Sequence, residues 1–155
     1  MTIRRATPEE IPAIAMIARE SFIAEVAPFY SEEGVQTFLR FASPEAMMKR
    51  VAENCVAYVA CHAEKFVGMA MIKEASHISM LFVAPGEQRK GVGRKLLEIA
   101  VGECTGPQVT VNSSPNAEPA YLRFGFKRTS DEKIDHGLRF IPMIFEKETP
   151  TKAPL

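Results

Sequence analysis

A run rich in glycine and positive charge lies where an apolar strand meets an apolar-periodic helix, in LFVAPGEQRKGVGRKLLE over residues 81–98. Its centre carries four basic side chains and one acidic side chain: Arg89, Lys90, Arg94, Lys95 and Glu87. Backbone N–H groups at the start of a helix have no intrahelical partner, and the helix dipole adds partial positive charge there. A strand, a glycine-rich turn and a helix N-terminus in this order therefore predict a phosphate or pyrophosphate site.

Two glycines, Gly91 and Gly93, limit the kind of anion loop that this run can form. Glycine has no Cβ atom, so its backbone can approach an anion closely and can adopt positive φ. A Walker loop needs a hydroxyl side chain after its lysine, but Leu96 follows Lys95, and a dinucleotide fingerprint needs a third glycine at the position of Leu96. Both of these phosphate loops are excluded, and a tight turn with solubilising charges is the structural alternative.

Tyr121, in PAYLRFGF, is the second residue that could do chemistry. A phenol with its usual pKa of ~10 is protonated at neutral pH and can donate a proton. The alternative is a core tyrosine that packs against Phe124 and Phe126.

The run Gln88-Arg89-Lys90-Gly91-Val92-Gly93 follows the pattern Q/R-x-x-G-x-G/A. Together with the later Tyr-x-x-x-Gly-Phe segment, it resembles the acetyl-CoA loop of the GNAT superfamily of N-acetyltransferases, and the resemblance covers nearly the whole chain. It implies that backbone amides around the loop hold a pyrophosphate and that a strand backbone pairs with pantetheine between two splayed strands. The implied acetyl-CoA-binding residues are Phe82, Val83, Gln88, Arg89, Lys90, Gly91, Val92, Gly93, Arg94 and Asn116.

The resemblance also implies that Tyr121 is the general acid that protonates the leaving thiolate. Asn116 is expected to contact the pantetheine arm, although Asn112 competes for this role and a turn or helix cap explains either asparagine equally well. The strand that leads into the loop lacks the glutamate base of many members and offers His77 instead, whose usual pKa is near 6.5. Glu74 is a second candidate base, water is a third, and a histidine bonded to backbone is the structural alternative.

The acceptor amine is expected to enter near EVAPFYSEEG, over residues 25–34. Carboxylates and aromatic rings suit a cationic amine through charge pairing and cation–π contact, and the segment provides Glu25, Phe29, Tyr30, Glu32 and Glu33. A solvated helix start with acidic residues explains the two later glutamates as well. The expected reaction is acetyl transfer to a primary amine of a small molecule or peptide, in a ternary complex and without a metal. The alternative is a catalytically silent acyl-CoA-binding or sensor domain.

The elements that position these residues are predicted from periodicity and caps. We expect helices over about 8–22, after Ser31, after Ser43, after Gly93 and before Gly125, and strands at 2–6, 55–61, 66–75, 76–85, 108–112 and 139–147. The fold class is α+β: a GNAT-like three-layer α/β/α domain with a mixed, mostly antiparallel central sheet and splayed central strands. It forms a single domain over 1–155 whose tail, 148–155, is expected to fray.

Composition limits the partners of the chain. Lys plus Arg number 19 and Asp plus Glu also number 19, so no global charge favours nucleic acid or a membrane. The three cysteines lack paired spacing and predict reduced, buried thiols. No apolar run approaches the ~20 residues of a membrane span, and the N-terminus lacks a signal-peptide core, so we expect a cytoplasmic protein. The C-terminal strand could finish the sheet or pair across a homodimer.

Overall fold

A mixed eight-stranded sheet forms the centre of the computed structural model, which describes residues 1–147. The strands are β1 (Thr2–Arg5), β2 (Cys55–His62), β3 (Lys65–Lys73), β4 (His77–Val83), β5 (Gln108–Ser113), β6 (Lys127–Arg128), β7 (Lys133–Asp135) and β8 (Leu138–Glu146). Their order in the sheet is β1-β2-β3-β4-β5-β8-β6, with β7 paired to β8. The tail predicted to fray, 148–155, lies outside the described residues.

Five α-helices lie in the described part of the chain: α1 (Ile11–Glu25), α2 (Glu32–Phe41), α3 (Pro44–Glu53), α4 (Val92–Glu103) and α5 (Glu118–Phe124). The predicted caps are confirmed. Ser31 accepts a bond from the Gly34 N–H at 3.2 Å, and Ser43 accepts one from the Ala46 N–H at 3.1 Å. The capping box of Thr7 and Glu10 starts a 3₁₀ turn that leads into α1. These side chains satisfy N–H groups that have no partner within a helix.

The helices cover both faces of the sheet, as the fold class predicts. Apolar side chains of α1, α2 and α3 pack on one face against β2, β3 and β4. On the other face, α4 and α5 pack against the sheet, and their contacts include β5 and β8. The alternation of side chains along each strand lets one sheet bury apolar residues on both faces. The result is the predicted α/β/α arrangement.

Within residues 1–147, all strand pairs are antiparallel except that of β4 with β5. A bulge interrupts β4, because Met71 of β3 pairs with Met80 whereas Ile72 pairs with Ile78. Ser79 is therefore the extra residue, and such a residue bends its strand and increases its twist. The bulge lies immediately after the point where β4 leaves β5.

Candidate active site

β4 and β5 hold each other through only two residue pairs in the part of the chain that the structure describes, His77 with Thr110 and Ile78 with Val111. Beyond Ile78, β4 continues to Val83 beside β3 but without β5. The two parallel strands therefore separate towards their carboxyl ends. This separation matches the predicted splay of the central strands.

The register shows which backbone groups of β4 face this gap. The Ala84 N–H donates to the carbonyl of Val67 in β3 at 2.8 Å. Successive residues of a strand direct their N–H and C=O groups to opposite sides, so Phe82 faces β3 whereas Leu81 and Val83 face the gap. The predicted backbone role is thus available to Val83 but not to Phe82, whose N–H and C=O belong to the β3 side. Leu81 was missed, because the sequence does not reveal the register.

The turn between β4 and α4 has the conformation expected of a glycine-rich anion loop. Gly91 is the N-cap of α4 with φ +82°, and a Cβ added there would meet no atom within 4 Å. The sequence allowed positive φ at both Gly91 and Gly93, but only Gly91 has it. Gly93 lies in the first turn of α4. Arg89 also has positive φ, +62°. No side-chain cap bonds the first N–H groups of α4.

The charged side chains of this turn differ in their ion-pair partners. Lys90 pairs with Glu87 at 3.3 Å, and Glu87 also pairs with Lys65 at 3.0 Å. Hydrogen bonds from these two lysines hold the pKa of Glu87 below its ordinary value. Arg94 pairs with Glu98 at 3.3 Å on the exposed side of α4. Such exposed pairs contribute little and can be exchanged for a ligand.

Gln88 has a structural contact within the turn: its side-chain amide donates to the Val83 carbonyl at 2.9 Å. This bond fastens the loop to the end of β4. It also occupies one of the backbone groups that face the gap.

The turn borders a cleft of about 500 Å³, here called the α4 cleft. Eight of the predicted acetyl-CoA-binding residues line it: Phe82, Val83, Gln88, Arg89, Gly91, Gly93, Arg94 and Asn116. Lys90 and Val92 do not, because Lys90 turns to Glu87 and the Val92 side chain is buried between α4 and the sheet. Asn116 donates to the Glu25 carbonyl at 3.4 Å, which joins the opposite wall to the end of α1.

A second cleft of about 490 Å³, the α2 cleft, lies on the other side of the gap. Leu81, Phe82 and Tyr121 line both clefts. Asn112 lines only the α2 cleft, so of the two candidate asparagines Asn116 alone lines the cleft that the glycine-rich turn borders. The two clefts therefore meet beside β4, where the sheet is open.

Tyr121 is held at this junction by the aromatic core beneath α5. It is 8% exposed, and its ring contacts Phe126 edge to face at 5.3 Å between centroids. Within residues 1–147, no buried side-chain oxygen or nitrogen is without a partner, and the Tyr121 hydroxyl has no hydrogen bond, so this oxygen opens into the clefts. Burial raises the pKa of Tyr121 above its ordinary value, which keeps the phenol protonated. Tyr121 can therefore be both a packed core residue and a proton donor.

Residues 26–147 match the model of the acetyltransferase (GNAT) domain. The chain belongs to the GNAT acetyltransferase family. Among solved structures, a GCN5-related N-acetyltransferase from Rhodopseudomonas palustris is 25% identical to this GNAT domain, with 94% of each chain covered and a TM-score of 0.81. No curated protein sequence matches the chain.

Two further solved structures share the GNAT fold. The PaiA N-acetyltransferase from Thermoplasma acidophilum, in complex with coenzyme A, is 18% identical, with 94% of this chain and 98% of that chain covered and a TM-score of 0.75. YncA from Salmonella typhimurium, with its cofactor acetyl-CoA, is 24% identical, with 100% of this chain and 98% of that chain covered and a TM-score of 0.66.

His77 lies in the α2 cleft of this GNAT domain, at the start of β4. Its Nδ1 is 2.7 Å from the Thr110 hydroxyl, which fixes the orientation of the ring. Burial, and then the positive charge of Lys73, lower the pKa of His77 below its ordinary value. The imidazole is therefore neutral near pH 7. Glu74 lines neither cleft, because it lies in the β3–β4 turn with its carboxylate 3.4 Å from the Asn54 amide.

The acceptor residues expected from the sequence separate in the GNAT domain. Tyr30 lines the α2 cleft and Glu25 lines the α4 cleft. The other three expected residues, Phe29, Glu32 and Glu33, line neither cleft and are exposed to solvent.

Three charged residues of the α2 cleft were missed: Lys73, Asp135 and Arg139. They come from the end of β3 and from the β7–β8 hairpin, which no local motif connects to the cleft. Their separation from the other site residues along the chain hid them. Among residues 1–147 no cluster of three metal-ligating side chains is present, and no helix has the length and apolar character needed to cross a membrane.

Proposed function

We propose that the chain is an acetyl-CoA-dependent N-acetyltransferase that acetylates a primary amine by direct attack in a ternary complex. The observation that carries the proposal is the meeting of two clefts at Tyr121, one bordered by the glycine-capped start of α4 and the other by aromatic and titratable side chains. Each substrate then has its own cleft, and the reacting atoms meet where the sheet is open.

The α4 cleft suits coenzyme A in two respects. Free N–H groups and a helix dipole at Gly91 favour a diphosphate, and the absent Cβ leaves space for it. The N–H and C=O of Leu81 and the N–H of Val83 can pair with the amides of pantetheine as an added strand would, whereas the Val83 carbonyl already accepts from Gln88. The coenzyme A and acetyl-CoA in the PaiA and YncA structures support this assignment for the shared fold.

Leu81 lines both clefts whereas Val83 lines only the α4 cleft. The N–H of Leu81 is therefore the donor best placed for the thioester oxygen, where negative charge grows as the amine attacks. A fixed backbone donor stabilises this charge without reorganisation.

Proton transfers complete the reaction. The amine nitrogen forms a bond to the thioester carbon, the carbon–sulfur bond breaks, and the thiolate takes the proton of the Tyr121 phenol. The nitrogen loses its extra proton to His77, directly or through water, since the imidazole is neutral. After the thiol leaves, Tyr121 regains a proton from solvent and His77 releases its proton to solvent.

The test is release of free thiol from acetyl-CoA with a panel of primary amines, followed by mass spectrometry of the acetylated product. Amine-dependent thiol release is the expected result. Binding of coenzyme A without turnover of any amine would instead assign the silent acyl-CoA-binding domain. Failure to bind coenzyme A would remove both functions.

A further inference from the structure

The α2 cleft has an aromatic wall. Phe22 and Phe38 stack with their centroids 4.0 Å apart, and Phe82 meets Phe38 edge to face at 5.5 Å. All three side chains line the cleft. An apolar or aromatic body is therefore the part of a guest that this wall can bury favourably.

Among residues 1–147, Lys73, Asp135 and Arg139 are the charged residues that line the α2 cleft, together with the neutral His77. Arg139 is satisfied, because its guanidinium pairs with Glu132 at 2.9 and 3.2 Å and also donates to a backbone carbonyl at 3.1 Å. Asp135 contacts the His136 ring at 2.8 Å, and its side chain is 73% exposed, so it lies at the solvated rim.

Lys73 is exposed as well, but it differs from these groups in having no ionic partner. It forms no ion pair with any residue in 1–147, and it lies directly across from His77 in the β3–β4 register. Because Arg139 is paired with Glu132 and His77 is neutral, Lys73 is the cation of the cleft that no carboxylate of residues 1–147 balances. An anionic group of the guest would supply the partner that the protein does not.

The size of the cleft favours a small molecule. A volume of about 490 Å³ lies in the range of small-ligand sites. The Tyr30 hydroxyl donates to the Arg139 carbonyl, and Thr37 donates to the His136 carbonyl at 2.7 Å. These bonds tie the α1–α2 connection and α2 to the β7–β8 hairpin, and so limit the room for an extended polypeptide.

We propose that the acceptor is a small primary amine with an aromatic or branched apolar body and an acidic group, and that Lys73 binds the acid. The inference rests on the proposed function and narrows its substrate class. The aromatic wall holds the body of the acceptor, and the open junction at Tyr121 receives the amine. Lys73 is thus a specificity residue, whereas the acidic residues expected from the sequence lie outside the cleft.

The experiment compares 4-(aminomethyl)benzoate with 4-(aminomethyl)benzamide, in which the ring separates the amine from the group that changes. We expect kcat/KM for the acid to exceed that for the amide by about tenfold or more. Lys73→Met abolishes this ratio and Lys73→Arg retains it. Lys49→Met, at an exposed lysine of α3 outside both clefts, leaves the ratio unchanged.

The outcomes separate the two proposals. Acetylation of neutral amines as fast as acids, or an acid preference that survives in Lys73→Met, overturns the acidic-acceptor class and leaves the N-acetyltransferase intact. Coenzyme A binding without acetylation of any amine overturns the proposed function, and the acceptor class falls with it.

Discussion

At the scale of single residues, the buried phenol of Tyr121 is the proposed proton donor where the two clefts meet. Tyr121→Phe retains the ring contacts with Phe126 and removes only the proton donor. We therefore expect kcat to fall by more than about tenfold, with the affinity for acetyl-CoA and the thermal stability nearly unchanged. Steady-state kinetics and calorimetry with acetyl-CoA measure the two effects. An unchanged kcat removes Tyr121 from the mechanism.

His77 should set the acidic limb of the pH profile. A base acts only when deprotonated, so kcat/KM falls as the pH drops through the pKa of His77, which lies below the ordinary 6.5. Burial is the larger cause and persists, but Lys73→Met removes a neighbouring positive charge, so the pKa and the limb should move to higher pH. NMR titration of the His77 ring, and the pH dependence of kcat/KM for an amine without an acidic group, measure this shift.

Two variants serve as controls for the pH profile. Lys49→Met should leave the limb where it is, because that lysine lies on α3 outside both clefts. If His77→Gln keeps the limb of the wild type, water removes the proton and His77 has only a structural role.

At the scale of elements, α2 docks on the β7–β8 hairpin through two glycines. A Cβ added at Gly34 would lie 2.2 Å from the Gly137 carbonyl oxygen, so backbone must move. Gly34→Ala should lower the free energy of unfolding by about 1–3 kcal/mol. It should also raise KM for the amine more than KM for acetyl-CoA, because this contact supports only the α2 cleft. Chemical denaturation and initial rates measure the two effects.

Gly102→Ala is the matched control. A Cβ at Gly102 meets no atom within 4 Å and the residue lies inside α4, so alanine should raise the free energy of unfolding by about 0.5–1 kcal/mol. Equal stabilities of the two variants would show that the contact between α2 and the hairpin can relax without cost.

Elements with local signals were predictable, and those set by distant contacts were not. Ser31 and Ser43 mark the starts of α2 and α3, because the side chain of an N-cap residue accepts a bond from the N–H three residues later. The bulge at Ser79 has no such signal, and β7 was not predicted because its three residues are defined by pairing with β8. For the same reason the glycine-rich turn was found from sequence while Lys73 in the opposite cleft was missed.

At the scale of the whole molecule, the described sheet consists of two antiparallel halves joined by one short parallel contact. β1 to β4 form one half, and β5, β8, β6 and β7 form the other. His77 and Ile78 provide the only strand pairs between the halves within residues 1–147. A ligand that pairs with β4 in the gap would add hydrogen bonds where the two halves of the sheet are weakly joined. Bound coenzyme A should therefore stabilise the sheet as well as occupy the active site.

Hydrogen exchange can test this bridging role. The amides of Leu81 and Val83 face the gap, so they should exchange quickly in the free protein and slowly with coenzyme A. Adenosine 3′,5′-bisphosphate lacks the pantetheine arm, and it should protect the start of α4 but not these two amides. At equal ratios of ligand to Kd both ligands stabilise the fold by the same free energy, about 2.7 kcal/mol at a hundredfold excess, so a thermal shift cannot separate them. The Met69 amide, within the β3–β4 pairing, serves as the protected control. Equal exchange at Leu81 and Val83 with either ligand would mean that pantetheine does not pair with β4.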